Sequence, residues 1–323
     1  MIPTENSLTI IALCSQIAQP EVAPLTTRQW SKLAQKIHAS GLEPADLRHQ
    51  DAASLLELSD GDECETERIT TLLQRADSLT IELERLLSLG IDVLTRADPH
   101  YPARYKQRLK DAAPAVLFFA GDRDLLGQPG IAIVGSRNLD DLGRQAAEFV
   151  GNACGLSGLV LYSGGARGVD ILSMSAALQA RGNAVGILAD SLEKAIRNPD
   201  YRIYLAQREL CLATPYSPSA PFSVGAAMGR NRLIYALADY AIVIASDFAK
   251  GGTWAGATEA LKAQWLPVFA LQHEQMPLGN QKLIGRGAIP FPYPFEGHYS
   301  ELETWLRSHS SVVDDDSEQL SLF

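Results

Sequence analysis

Between Ile131 and Ala270, short apolar runs alternate with stretches of helical length, and this alternation restricts the fold more than any other feature of the chain. The runs are Ile131-Ala-Ile-Val134, Leu159-Val-Leu-Tyr162, Ala184-Val-Gly-Ile-Leu188, Leu210-Cys-Leu-Ala213, Tyr240-Ala-Ile-Val-Ile-Ala245 and Leu266-Pro-Val-Phe-Ala270. Uninterrupted apolar runs rich in β-branched residues predict strands buried on both faces. Helices are expected between them, over 142–156, 169–181, 225–237 and 253–264. The alternation therefore predicts an α/β fold with a doubly wound, mostly parallel sheet. In such sheets ligands bind outside the carboxyl ends of the strands, so the residues just after each run matter most.

Residues 8–89 read differently. Apolar residues recur three and four apart in Trp30-Leu33-Ile37 and Ile69-Leu72-Leu73-Ala76, broken at Gly41-Leu42-Glu43-Pro44 and Asp60-Gly61-Asp62. That periodicity predicts a small all-helical N-terminal domain over 1–89. An ordered, proline-stopped connection through Asp98-Pro99-His100-Tyr101-Pro102 leads into a second domain over 90–298. A short helix near 301–307 and an acidic, flexible tail complete the expected layout over 299–323. The apolar run Leu8–Cys14 is too short to span a bilayer and is read as part of a buried helix, so no membrane partner is expected.

With 323 residues, 46% of them hydrophobic, the chain can bury one sizeable core and a smaller one. The net charge of −10 argues against a protein that coats duplex DNA by bulk electrostatics. Residues 131–290, however, carry 14 Lys and Arg against 12 Asp and Glu, so the acidity lies elsewhere and this segment is where an anion can bind. Cys14, Cys64, Cys154 and Cys211 form no CxxC pair and have no His at ligand spacing. A reduced, cytoplasmic protein without metal or cofactor is expected.

Three loops and one helical segment carry the chemistry. Gly135-Ser136-Arg137 follows the first run and leads to a helix starting near Asp140 or Asp141. A glycine there admits close backbone approach, Ser136 and Arg137 donate hydrogen bonds, and the helix start offers N–H groups to an anion. Ser163-Gly164-Gly165-Ala166-Arg167-Gly168 follows the second run, its glycines letting N–H groups converge on phosphate oxygens while Asp170 caps the helix or holds the loop. Arg230-Asn231-Arg232 lies in a helix, where two arginines around an amide suit phosphates and a base edge or sugar. Lys250-Gly251-Gly252-Thr253 opens the helix after the fifth run. Any one of these reads equally as a plain turn or a solvated helix face; their recurrence at the ends of one sheet is what points to phosphate. None is the GxGxxG dinucleotide fingerprint, and Glu259 reads as a surface residue.

In order, Tyr101-Pro102, Pro114-Ala-Val-Leu-Phe118, Ala132-Ile-Val-Gly-Ser-Arg137, Ser163-Gly-Gly-Ala-Arg-Gly-Val-Asp170, Arg230-Asn-Arg232, Gly251-Gly-Thr253 and Gly279-Asn-Gln-Lys-Leu-Ile-Gly-Arg-Gly-Ala288 resemble the DprA/Smf DNA-processing family over about residues 90–290. The resemblance implies a Rossmann-like domain that dimerises, binds single-stranded DNA in a basic groove and passes it to a recombinase. Its DNA contacts would fall on Ser136, Arg137, the Gly164–Gly168 loop, Arg230–Arg232 and Thr253. The chain departs from the family pattern at Ser173-Met174, where an Ala-His pair is usual, at Gly256-Ala257 and at Met228-Gly229; no winged-helix domain is expected after residue 290. A specialised paralogue, in phage defence or as an antitoxin with a cognate toxin, is thus an alternative. A phosphoribohydrolase-like enzyme or nucleotide sensor is another, although the segment 251–259 is out of register with a PGGxGTxxE loop. No catalytic residue is assigned.

The last five residues, Gln319-Leu320-Ser321-Leu322-Phe323, resemble the peptide by which DNA-replication and repair proteins dock on the bacterial sliding clamp. Gln319 supplies a hydrogen bond, Leu320, Leu322 and Phe323 supply apolar anchors, and the acidic spacer keeps them extended. The alternative is a tail folded back on its own chain.

Overall fold

The computed structural model describes residues 3–310. Its sheet has nine strands in the order β1-β2-β6-β5-β4-β3-β7-β8-β9, and the chain divides into two compact units. The strands are β1 (Ile91–Thr95), β2 (Val116–Gly121), β3 (Gly130–Val134), β4 (Val160–Ser163), β5 (Ala184–Ile187), β6 (Leu210–Thr214), β7 (Tyr240–Val243), β8 (Val268–Gln272) and β9 (Ile289–Pro292). Each of the six apolar runs forms a strand, as expected, and the mixed, mostly parallel α/β architecture follows.

The first unit comprises residues 1–127 and 186–230. Its N-terminal helices are α1 (Glu5–Cys14), α2 (Thr27–Ala39), α3 (Ala52–Leu58), α4 (Glu63–Leu73) and α5 (Ala76–Ser88), followed by α6 (Ala103–Leu109). Thr4 caps α1 by accepting from Ser7 N–H, and Thr26 with Gln29 makes a capping box on α2. The buried Arg75 ties the exit of α1 down, its Nη1 donating to the carbonyls of Ala12 (3.0 Å) and Ser15 (3.3 Å) and its Nη2 to Ile17. Two short helices, α9 and α10, occupy Leu192–Ala195 and Pro199–Ala206. β1, β2 and β6 pair antiparallel here, with Val93 opposite Phe118 and Phe119 opposite Ala213.

The second unit, residues 128–185 and 231–323, holds the parallel ladder. β3 pairs with β4 on one side, Ile131 opposite Leu161, and with β7 on the other, Ile131 opposite Tyr240. Chain order reverses at β3, so β3 is a topological switch point, where open α/β sheets keep their ligand crevice. Its helices are α7 (Asp141–Leu156), α8 (Val169–Gln179), the C-terminal part of α11 (Val224–Leu237), α12 (Gly251–Ala263), α13 (Leu278–Ile284) and α14 (Leu302–Ser310). A Cβ on Gly151 would lie 2.8 Å from Ser173 Cα, and one on Gly155 3.1 Å from Ala177 Cα. Small residues therefore bring α7 and α8 into near backbone contact and hold their N-termini side by side. Ser173 and Met174 are both fully buried in this packing.

Asn280 is 0% exposed and staples the ends of β7 and β8. Its Nδ2 donates to the carbonyls of Ile244 (3.0 Å), Leu271 (3.0 Å) and Val243 (3.3 Å), while its Oδ1 accepts from Ser246 N–H (2.9 Å). On the β9 side, Trp305 of α14 meets Phe291 edge-on at 5.2 Å and lies 5.7 Å from Phe269. No helix among the described residues is long and apolar enough to cross a membrane. Residues 319–323 lie outside the described residues.

Candidate functional site

The loop after β3 is built to be held, not to move. Gly135 packs against Val169 of α8 and the backbone of Ala245, where a Cβ would lie 3.0 Å from Val169 Cβ. Its carbonyl accepts from Thr253 Oγ1 at 3.1 Å. Ser136 donates its N–H to the Ala245 carbonyl (2.9 Å), accepts from Val169 N–H at its own carbonyl (3.3 Å) and accepts from Asn138 N–H at Oγ (3.2 Å). These bonds leave Arg137, the next residue, exposed. The start of α7 is a correction to expectation: Asp140 Oδ1 already accepts from Gly143 N–H at 2.7 Å, so a carboxylate caps the helix where an anion was anticipated.

The loop after β4 closes on this one. Ser163 is buried and donates Oγ–H to the Ile133 carbonyl at 2.7 Å, a structural role. Gly164 is buried and Gly165 takes a φ of +63°. Asp170, 7% exposed, accepts from Ala166 N–H at 3.3 Å and so holds the loop. Gly168 combines a φ of +95° with close approach to the Ser136–Arg137 backbone, a position only glycine fills. No side chain caps α8. Burial together with the Asp170 charge pushes the Tyr235 phenol well above its ordinary range.

Between the starts of α7 and α8 these loops enclose an open groove of about 510 Å³. Arg137, Arg144 and Arg167 line it, with Leu139, Ile171 and Leu172 as its apolar surface and Asn138 and Gly168 completing the lining. Arg144 and Arg167 are exposed, and neither is ion-paired with a carboxylate among the described residues. Arg144, Ile171 and the two leucines were not anticipated. The signal for Arg144 was present: a cation in the first turn of a helix opposes the macrodipole, which favours acids there.

The remaining expected residues fall into place unevenly. In α12, Lys250 and Gly251 are exposed and Lys250 forms no side-chain cap. Gly252 packs directly on the Asn231 amide. Arg232 is half-buried, its Nε lacking a hydrogen-bond partner among the described residues. Arg230, at the boundary of the first unit, is only 4% exposed, so this arginine points inward where a phosphate contact was expected. Glu259 is an exposed residue on α12.

Among the described residues, no group of three or more His, Cys, Asp or Glu is arranged to hold a metal ion. Burial pushes the thiols of Cys14, Cys154 and Cys211 far above their ordinary value, which keeps them protonated and unreactive.

The fold and groove define an α/β protein with an arginine-lined groove beside the switch strand β3 of a mostly parallel sheet. Residues 92–294 match the family model described as DNA recombination-mediator protein A, and the chain belongs to that family. It is 30% identical over 205 residues to the DNA processing protein DprA of Bacillus subtilis (strain 168), covering 62% of this chain and 67% of that protein. A Streptococcus pneumoniae DprA is 32% identical over 142 residues, 43% of this chain and 49% of the relative, so the match spans about half of that protein. Among solved structures, S. pneumoniae DNA processing protein A aligns with a TM-score of 0.65 at 23% identity over 90% of this chain and 95% of that one, a likeness of fold. A structure addressing the single-stranded DNA binding mode of Helicobacter pylori DNA processing protein A aligns with a TM-score of 0.55 at 25% identity, covering 68% of this chain and 97% of that one.

Proposed function

We propose that this chain binds single-stranded DNA at the carboxyl ends of β3, β4 and β7 and acts in DNA recombination or uptake, or in genome defence. The observation that carries the reading is the convergence of Arg137, Arg144 and Arg167 on one groove between the loops after β3 and β4, with Gly168 bringing those loops together. Arg144 and Arg167, exposed and not ion-paired with a carboxylate among the described residues, suit phosphate, and planar forked donors suit its oxygens. The shallow, open shape suits a polymer passing through more than a small molecule enclosed on all sides. The H. pylori family member with its single-stranded DNA binding mode supports the same choice of ligand.

Ser136, Ser163, Gly135 and Thr253 serve in this reading by shaping the loops, since their polar groups are already bonded within the protein. Arg232, Asn231, Lys250, Gly251 and Gly252 supply a second edge along α11 and α12. Docking of Gln319–Phe323 on a sliding clamp is a separate part of the proposal and rests on the sequence pattern alone, whereas a homodimer and a recombinase partner rest on the family resemblance. Fluorescence anisotropy with labelled oligothymidylate and with a duplex of equal length tests the main reading. Preference for the single strand is expected; equal or absent binding to both contradicts it.

A further inference from the structure

The first unit carries an apolar cavity of its own, of about 210 Å³, between α1, α5 and β1. The buried Leu86, Ile91 and Phe118 form its floor, and Leu8, Leu83 and Leu87 form its sides. Thr80, Leu83, Glu84 and Leu87 recur at helical spacing, so one face of α5 lines the opening, where Leu87 is 48% exposed. Cavities that take whole small ligands measure about 300–1,000 Å³, so this one suits a single bulky apolar side chain. It is not a site for strand addition, although β1 ends the sheet. The N–H groups of Val93 and Thr95 already donate to the carboxylates of Asp92 and Asp98, so the edge offers them to no added strand.

Charge identifies the occupant. Glu84 and Asp92 line the cavity, and no Lys, Arg or His does. Glu84 is exposed and forms no ion pair among the described residues. Residues 1–89 carry 14 Asp and Glu against 7 Lys and Arg, and Arg68 and Arg75 turn their guanidinium groups to backbone carbonyls. Such a surface repels a nucleic-acid strand and an anionic bilayer, and it equally repels the acids at 314–316 and 318 of this chain. We infer that this cavity docks a basic segment of a partner protein, which inserts one bulky aliphatic or aromatic side chain and sets an adjacent Lys or Arg against Glu84 and Asp92. An apolar anchor filling a pocket supplies the binding energy, and the carboxylates at its rim select the partner by charge. The cavity and the arginine-lined groove share no residue, so this site stands independently of the DNA reading.

Selection of a random peptide display library on the full chain tests this, with fluorescence anisotropy of the enriched peptides as the readout. Enriched sequences are expected to carry a Leu, Ile, Met, Phe or Trp beside Lys or Arg, and their affinity is expected to fall with added salt. Glu84→Lys and Leu87→Ser, both changes of exposed side chains, are each expected to weaken binding about tenfold, while a cooperative thermal transition shows each variant to be folded. No enrichment, enrichment of acidic or wholly polar sequences, or enriched peptides that bind Glu84→Lys as tightly as the wild type would overturn the inference. Tighter peptide binding by a chain lacking residues 311–323 than by the intact chain would give the cavity to the chain's own tail. A dimer that Leu87→Ser dissociates would give it to a second copy. Either result would overturn the assignment to a basic partner.

Discussion

A Cβ placed on Gly168 would lie 2.7 Å from the Cα of Arg137. The loop after β4 and the loop after β3 are thus in backbone contact, and the groove exists because a residue without a side chain stands between them. Gly168→Ala adds a methyl group to that contact and a side chain to a backbone at φ +95°. A loss of about 1–3 kcal/mol in stability is expected, read by thermal or urea unfolding. The same variant should bind oligonucleotide more weakly, because Arg137 and Arg167 are pushed apart. Unchanged unfolding would show that the loops are not in contact.

Asn280→Ala removes four hydrogen bonds at once and leaves the Ser246 N–H and the carbonyls of Ile244 and Leu271 buried without it. Orphaned buried groups cost about 1–3 kcal/mol each before any relaxation, so a total loss of at least about 2 kcal/mol is predicted. Asn280→Asp, which cannot donate, should be no better at neutral pH. Chemical unfolding of both variants decides this.

The strands β3 to β8 were legible because each is a continuous apolar run between stretches of helical length. β1 was not recognised, since Ile91-Asp-Val-Leu-Thr95 is only partly buried and carries an acid. β9 reads Ile289-Pro-Phe-Pro292, and its prolines argue against a central strand; it is an edge strand, where a missing N–H donor is tolerated. At the site, glycine spacing disclosed the loops after β3 and β4, because positive φ and close approach leave a local signature. Arg144 and Ile171 escaped notice because their meeting depends on α7 and α8 packing through Gly151 and Gly155, a tertiary relationship. Arg230 misled in the opposite direction: its charge suggested a surface, while its helix buries it.

A pH dependence follows from Asp122. Burial alone would raise its carboxyl, but the Arg208 guanidinium, at 3.1 Å through both Nε and Nη2, and the Asp124 N–H outweigh it and leave it below its ordinary value. A depressed carboxyl stabilises the fold above its unfolded pKa, about 3.9, and the contribution is lost as pH falls through the lower folded value. Arg208 is largely exposed, so solvent screening keeps the effect small. Arg208→Gln should therefore be slightly less stable than wild type at pH 7, and the difference should vanish well below pH 4. Unfolding midpoints across that range test the sign.

Deletion of residues 319–323 is predicted to abolish binding to the sliding clamp and to leave oligonucleotide affinity unchanged. Surface plasmon resonance against immobilised clamp and immobilised strand separates the two. Loss of DNA binding on truncation would mean that the tail serves its own domain instead.

The most direct measurement of the central claim is the salt dependence of oligothymidylate binding by the wild type and by the triple variant Arg137→Ala, Arg144→Ala, Arg167→Ala. If the groove neutralises phosphates, each lost contact lowers the slope of log K against log salt by about 0.7, so the variant's slope should be about 2 units shallower and its affinity much lower at low salt. A triple variant that keeps the wild-type slope and affinity would contradict the assignment of this groove as the DNA site.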